Sequence, residues 1–338
     1  MIPCCGESNE TLKQTYESLA RASYEDTKKL LLFVCDGVTQ SVHDSKETHV
    51  LILEALGYSC TEEPAMQAYV SLGQNRRRLN YARVYSGFYE TGRNRVPYMV
   101  VVKHGHPREH SSGGRVPGNR GKRDSMIIVF GFLERCMNIT NNRMTPLEYE
   151  LFNQCYNVLG IDPRLFKYLL VTDADTQVHA DVVQRLVLRL ERDPKMIAIS
   201  GHIRPANPEQ NLTTMLQIFP LYLTLFSGLA YETFLKRVMT ISSGLVMYKV
   251  WSDSPLLLCC IHPTVLRGFA LQQASTMHTM NALLQGEDRC LAAVLLQSHP
   301  GCHLGFESEA IGYVTLPTDF LALQGSQTRS IRAIFYNL

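Results

Sequence analysis

Short apolar strands alternating with amphipathic helices predict an α/β protein built on a doubly wound, mostly parallel sheet. Two of the apolar runs end on carboxylates, "LLLFVCDG" at Asp36 and "YLLVTDADT" at Asp173 and Asp175. In open sheets of this kind ligands gather at the carboxyl ends of strands. Paired carboxylates at the edge of an apolar core cost free energy unless a cation or a proton compensates them. The pattern therefore predicts a site as well as a fold.

In chain order, residues 10–22 predict a helix, and "KKLLLFVCDGV" (28–38) a buried strand ending at Asp36-Gly37. Between the strands "GQNRRRLNYARVYSGFYE" is polar and basic, and Arg76-Arg77-Arg78 reads most simply as a solvated basic face. "PYMVVVKHG" (97–105) predicts a second strand, and "HPREHSSGGRVPGNRGKRDS" (106–125) a basic loop rich in Gly and Ser. "MIIVFGFLERC" (126–136) predicts a helix. "TPLEYELFNQCYNVLG" (145–160) predicts another, with Thr145 as N-cap and Pro146 in the first helical position. "FKYLLVTDADT" predicts a third strand, "HADVVQRLVLRLERD" a helix and "MIAISGHI" a fourth strand.

The composition is that of a globular chain: 338 residues, 45% hydrophobic, 19% charged, net charge +2. That balance argues against a nucleic-acid coat and against an acidic tail. The ten cysteines show no metal spacing and predict buried, reduced thiols of a cytosol-facing domain. Met1 leads straight into "IPCCGES" without a signal-peptide pattern. Residues 211–231 carry no charge over about the length of a membrane span. Pro220 and five interrupting Thr, Gln and Ser residues favour a core or interfacial helix over a spanning one.

Asp-x-Asp at a strand end suits Mg²⁺ or Mn²⁺ carrying a phosphate, because carboxylate oxygens are hard ligands. The alternative is helix capping by Asp175. "PGNRGKRDS" (117–125) offers glycines, backbone donors and three cations before a helix, either as a diphosphate cradle or as a solvated loop. Lys103 presents the same choice. Glu287 and Asp288 begin a helix, where they complement its dipole or hold a general base near a sugar hydroxyl. His104, His106, His110, His278 and His303 show no ligand spacing and read as surface or core polar residues.

Taken in order, Pro3-Cys4-Cys5-Gly6-Glu7, Cys35-Asp36-Gly37, "VYSGFYE", "VPYMVVVK", "PGNRGKRDS", "VTDADT", Gly286-Glu287-Asp288-Arg289 and Ser326-Gln327 resemble the processive family-2 glycosyltransferases. Within them the chain resembles the chitin synthases, over essentially its whole length, and most closely the fungal division that includes myosin-linked forms. The resemblance implies a GT-A fold, with a UDP-sugar donor half at residues 1–190 and an acceptor half at 191–338, forming one catalytic domain. It implies UDP-N-acetylglucosamine as donor, a chitin oligosaccharide as acceptor and Mg²⁺ or Mn²⁺ as cofactor. Pro3, Glu7 and Asp36 are implied to hold uridine, Lys122 and Asp124 to lie near ribose and diphosphate, and Asp173 to contact the donor. Asp175 is implied to bind the metal and Asp288, beside Glu287, to take the acceptor proton. Gln327 and Arg329 join the donor set. A plasma-membrane location facing the cytosol, through segments absent from this chain, and a homodimer complete the expectation.

The chain departs from the family pattern mainly in the acceptor half. Gln-x-x-Arg-Trp reads Gln327-Thr328-Arg329-Ser330-Ile331, so the aromatic stacking surface is gone. Leu-Pro-Gly-Cys reads Ile241-Ser242-Ser243-Gly244, Glu-Thr reads His202-Ile203 and Glu-Tyr reads Pro220-Leu221, where proline should kink or break a helix. These changes keep a non-catalytic relative in play, binding a UDP-sugar or an active synthase. A haloacid-dehalogenase-type phosphatase is a poorer match, because the position after Asp-x-Asp-x is Gln177 and no later Gly-Asp-x-x-x-Asp occurs.

Overall fold

The computed structural model describes residues 1–41, 45–59, 62–72, 78–110, 116–138, 144–241, 244–253, 256–270 and 286–336. Ser242, Ser243, Arg76, Arg77, His278 and residues 111–115 of the basic loop lie outside the described residues. The chain divides into two compact units. The first holds Met1–Phe166 and Asp173–Asp175, the second Lys167–Thr172 and Thr176–Leu338.

The first unit is a five-stranded sheet of order β1-β2-β5-β4-β3. Its strands are β1 (Ile2–Cys4), β2 (Leu31–Cys35), β3 (Gln67–Val70), β4 (Leu79–Thr91) and β5 (Asn94–Lys103). β1, β2 and β5 are parallel, with Phe33 opposite both Ile2 and Val100. All five residues of β2 and the last eight of β5 are buried, as expected of strands covered on both faces. Tyr16, Phe33, Met99, Phe130 and Leu147 centre the core.

β4 occupies most of the polar, basic stretch, for which the sequence predicted no strand. It is 13 residues long, and Ala82–Thr91 of it pairs antiparallel with β5. Asn80, Ala82 and Val84 alternate inward while Tyr81 and Arg83 are only half-buried, so the period of two was present behind the cations. The two strands are joined through Gly92 at φ 62°, a hairpin that can only be antiparallel.

The helices follow the sequence more closely. Asn9–Ala20 is capped by Ser8. Pro146–Asn153 carries the reciprocal Thr145–Glu148 capping box, and its last part widens into a π turn, Gln154–Val158.

The second unit has a sheet of order β6-β9-β8-β12-β7. Its strands are β6 (Tyr168–Thr172), β7 (Thr176–Val178), β8 (Met196–Pro205), β9 (Leu245–Lys249) and β12 (His303–Val314), with a separate hairpin of β10 (Trp251–Asp253) and β11 (Leu256–Leu258). Among the described residues of this sheet, only β8 and β12 pair in parallel. Among the described residues, parallel pairing joins β1-β2-β5 and β8-β12. Helix Val182–Arg192 buries Val182, Leu186 and Leu190, one stripe at a spacing of four.

Residues Leu212–Phe234 form one continuous helix, long and apolar enough to cross a membrane by length and composition, with 17% of its window buried. Pro220 does not break it. The α-helix Leu212–Leu221 passes into a π-helical stretch, Tyr222–Gly228, and returns to α at Leu229–Phe234. Proline removes one N–H and crowds the preceding turn, and local widening accommodates both.

Six described cysteines are buried, Cys5 is exposed, and none forms a disulfide among the described residues. Burial pushes the Cys136, Cys155 and Cys259 thiols up to about 12, which disfavours reactive thiolates.

Candidate functional site

Because β1, β2 and β5 run the same way, their carboxyl ends share one edge of the first unit. Glu7 follows β1, Asp36 follows β2 and Lys103 ends β5. The loop 116–121 returns to this edge and opens the helix Lys122–Met137, with Gly121 as its N-cap.

Lys103 is fully buried, and its Nζ lies 2.9 Å from both Asp36 Oδ1 and Asp124 Oδ2. Burial alone would lower the ammonium, but Asp124 and Asp36 outweigh it and hold it raised. The remaining acceptor positions are filled by the protein. Asp36 accepts Arg120 N–H at 2.9 Å and Gly121 N–H at 2.7 Å. Asp124 accepts Leu72 N–H at 2.8 Å and Tyr69 Oη–H at 3.1 Å. Asn80 donates to Tyr69 Oη and to Gly118 O. Arg120 is turned inward onto Glu109, which also accepts Gly118 N–H at 3.1 Å. At Gly118, φ is +77° and a Cβ would stand 2.2 Å from Lys103 O, so only glycine lets the loop lie against the strand.

This arrangement corrects the diphosphate-cradle reading of "PGNRGKRDS". The N–H groups of Gly118, Arg120 and Gly121 are spent on Glu109 and Asp36. Of the three cations, Arg120 and Arg123 are buried, and Lys122 is the one that reaches the Asp-x-Asp. Lys103 is neither a surface cation nor a solvated one.

Lys122 Nζ donates to Asp173 Oδ1 at 2.7 Å. Ala174 is buried, and its carbonyl accepts Thr15 Oγ1–H from the first helix at 2.9 Å. With Ala174 held inward, Asp173 is left half-buried and Asp175 exposed. Helix Val182–Arg192 begins at Asp181, with β7 in between, which overturns the helix-capping alternative for Asp175. Glu7 accepts Cys5 N–H at 2.6 Å, yet its carboxyl is raised, by burial first and then by the nearby Asp175 and Asp173. Pro3 sits in the middle of β1, opposite Val34.

Glu7, Asp173 and Asp175 are hard oxygen donors whose charges interact. Among the described residues no three ligand side chains converge as a ready-made cage. Such a donor set fits a divalent ion that keeps much of its shell from diphosphate and water.

The remaining candidates lie in the second unit. Glu287 and Asp288 are half-buried in the first turn of Glu287–Ser298, after Gly286 at φ +74°. Gln327, Arg329, Ser330 and Ile331 are exposed along the helix Phe320–Tyr336.

The fold is that of the GT-A glycosyltransferases. A mannosyltransferase from Pyrobaculum calidifontis, solved with GDP-Man and Mn²⁺, superposes with a TM-score of 0.50 at 10% identity, over 99% of this chain and 61% of that one. The chitin synthase family model matches residues 1–338, and the chain belongs to that family. Chitin synthase 6 of Mycosarcoma maydis is 35% identical over 337 residues, all of this chain and 28% of that protein. Chitin synthase 4 of Cryptococcus neoformans var. grubii is 34% identical over 337 residues, covering 26% of its length. The chain thus spans between 16% and 28% of the length of these and other curated relatives it matches.

Two outcomes follow from the site. Lys103→Met leaves two buried carboxylates without their cation and is expected to cost about 3–5 kcal/mol of stability, read from denaturant unfolding. Glu7 is raised in the folded chain, so its ionisation opposes folding above the unfolded value of 4.5. Glu7→Gln is therefore expected to stabilise the metal-free protein at neutral pH, with the gain lost as pH falls from the raised folded value to 4.5. Denaturation midpoints across the range check the sign.

Proposed function

We propose that the chain is a catalytic domain that transfers N-acetylglucosamine from UDP-N-acetylglucosamine to the 4-hydroxyl of a growing β-1,4 chain. The observation that carries this is the pairing of Lys122 with Asp173 beside exposed Asp175, within a chain matched end to end by the chitin synthase family. An α-linked donor giving a β-linked product needs one in-line displacement with inversion, and hence one base and no covalent intermediate.

In this reading Asp175 holds Mg²⁺ or Mn²⁺, with Asp173 beside it. Bound there, the ion supplies charge neutralisation for the leaving diphosphate. Lys122 is the protein's own cation at that place and stabilises the same developing charge. Pro3 and Glu7 border the uridine. Asp36 and Asp124 act from inside through Lys103, holding the loop and the helix start that present Lys122. Asp288 removes the acceptor proton, with Glu287 beside it in the first helical turn. Gln327 and Arg329 belong to the donor set. The acceptor is a chitin oligosaccharide, and the domain works at the cytosolic face of the plasma membrane, as a homodimer.

The second reading is a relative that binds a UDP-sugar or an active synthase without turnover. It is favoured by Ile331, 52% exposed where the family pattern has tryptophan.

Titration calorimetry with UDP-N-acetylglucosamine is expected to show binding that needs Mn²⁺ and falls at least about tenfold in Asp175→Asn. Absence of binding by the folded protein overturns the donor reading. Asp288→Asn is expected to keep donor binding and lose about 10²–10⁴-fold in turnover. A wild-type chain that binds donor but releases no UDP with chitin oligosaccharide supports the non-catalytic reading.

A further inference from the structure

Helix Asn9–Ala20 buries Leu12, Thr15, Tyr16, Leu19 and Ala20, one face of a helix at spacings of three and four. Thr15 puts an aliphatic hydroxyl on that face and is 1% exposed. A buried hydroxyl costs free energy unless it is bonded, and valine would fill the same place without that cost. Two carbonyls lie within reach of the one hydroxyl proton. Ala174 O is at 2.9 Å, and Thr11 O, one turn back on the same helix, is at 3.1 Å. The contact with Thr11 is the ordinary local one for a threonine in a helix. The contact with Ala174 spans 159 residues and reaches the middle of the Asp-x-Asp.

The carbonyl of Ala174 belongs to the peptide that joins it to Asp175. A donor on that oxygen fixes the peptide plane, and with it the direction in which Asp175 leaves the turn. Ala174 is buried there, and Asp173–Asp175 belong with the first unit, as Thr15 does. The helix that carries Thr15 is itself held in rotation. Tyr16 meets Phe33 and Tyr89 edge-on, with ring centroids 6.1 and 5.3 Å apart, and Ser8 caps the first turn. Glu7 stands directly before that cap, and its carboxyl senses Asp175 and Asp173. One helix thus brings Glu7 at its start and Thr15 in its second turn to the same three residues. We infer that Thr15 is a positioning residue for the Asp-x-Asp: by holding the Ala174–Asp175 peptide it sets where the Asp175 carboxylate stands beside Asp173. It acts through the backbone and is not itself a ligand. The inference deepens the glycosyl-transfer reading and rests on Asp175 as the metal ligand. Groups that orient a metal ligand from behind commonly carry about 10–100-fold in metal affinity.

Calorimetry of UDP binding at graded Mn²⁺ tests this, with Thr15→Val and Thr15→Ser beside the wild type. Valine keeps the shape and loses the hydroxyl, whereas serine keeps the hydroxyl and loses a methyl group. Thr15→Val is expected to raise the Mn²⁺ concentration for half-maximal UDP binding at least about tenfold. Thr15→Ser is expected to keep the wild-type Mn²⁺ requirement while its thermal midpoint falls, because a buried methyl group is gone. A Thr15 with a purely structural role leaves the Mn²⁺ requirement unchanged in both variants, and that result overturns the inference. So does a Thr15→Ser requirement raised as far as that of Thr15→Val. A wild type that binds UDP with Mn²⁺ but transfers no N-acetylglucosamine to chitin oligosaccharide overturns glycosyl transfer alone, and the Thr15→Val shift then still supports the positioning role. Absence of Mn²⁺-dependent UDP binding by the folded wild type overturns both.

Discussion

The ammonium of Lys103, closed off from water between Asp36 and Asp124, is the constraint on which the arrangement of the first unit depends. It joins the end of β5 to the residue after β2 and to the first turn of the helix Lys122–Met137. A buried charge of this kind is tolerable only when its partners are fixed and their other lone pairs are filled. Arg120, Gly121, Leu72 and Tyr69 fill them. The loop has little freedom left, and Lys122 emerges from it in one place, against Asp173.

Electrostatics at this edge are graded by burial. Inside, two carboxylates and one lysine leave a net negative charge, offset locally by backbone N–H dipoles. Toward the surface, Lys122 faces Asp173, and the Glu7 carboxyl is raised by its burial first and then by Asp175 and Asp173. The exposed end of the cluster is where a further cation gains most. Asp175 is exposed while Asp36 and Asp124 are buried, which supports the proposal that Asp175 holds the metal.

The second unit solves a different problem. Its sheet is covered by Val182–Arg192 through an apolar stripe, the ordinary direction of amphipathicity. In Leu212–Phe234, Thr214, Gln217 and Leu229 are inward, while Leu212, Met215 and Phe219 are outward. Pro220 and the π-helical stretch after it allow the turn that sets Phe226 against His202. Both features are legible as composition, but their direction relative to the domain is not.

The sequence by itself determined the central strands, the capped helices and the Asp-x-Asp, because unbroken apolar runs, Thr145 with Glu148, and carboxylates at strand ends are local signals. It also carried the family, through the order of its motifs along the whole chain. It concealed β4, whose period of two is overlaid by Arg78, Arg83 and tyrosines. It left Asp175 divided between capping and ligation, and β7 between it and the next helix removes the capping reading. Only the tertiary structure decided that Lys103 is internal and that the glycine loop spends its donors on Asp36 and Glu109. Their partners lie far away in sequence, 67 residues apart for Lys103 and Asp36, and desolvation acts only once the chain has closed around them.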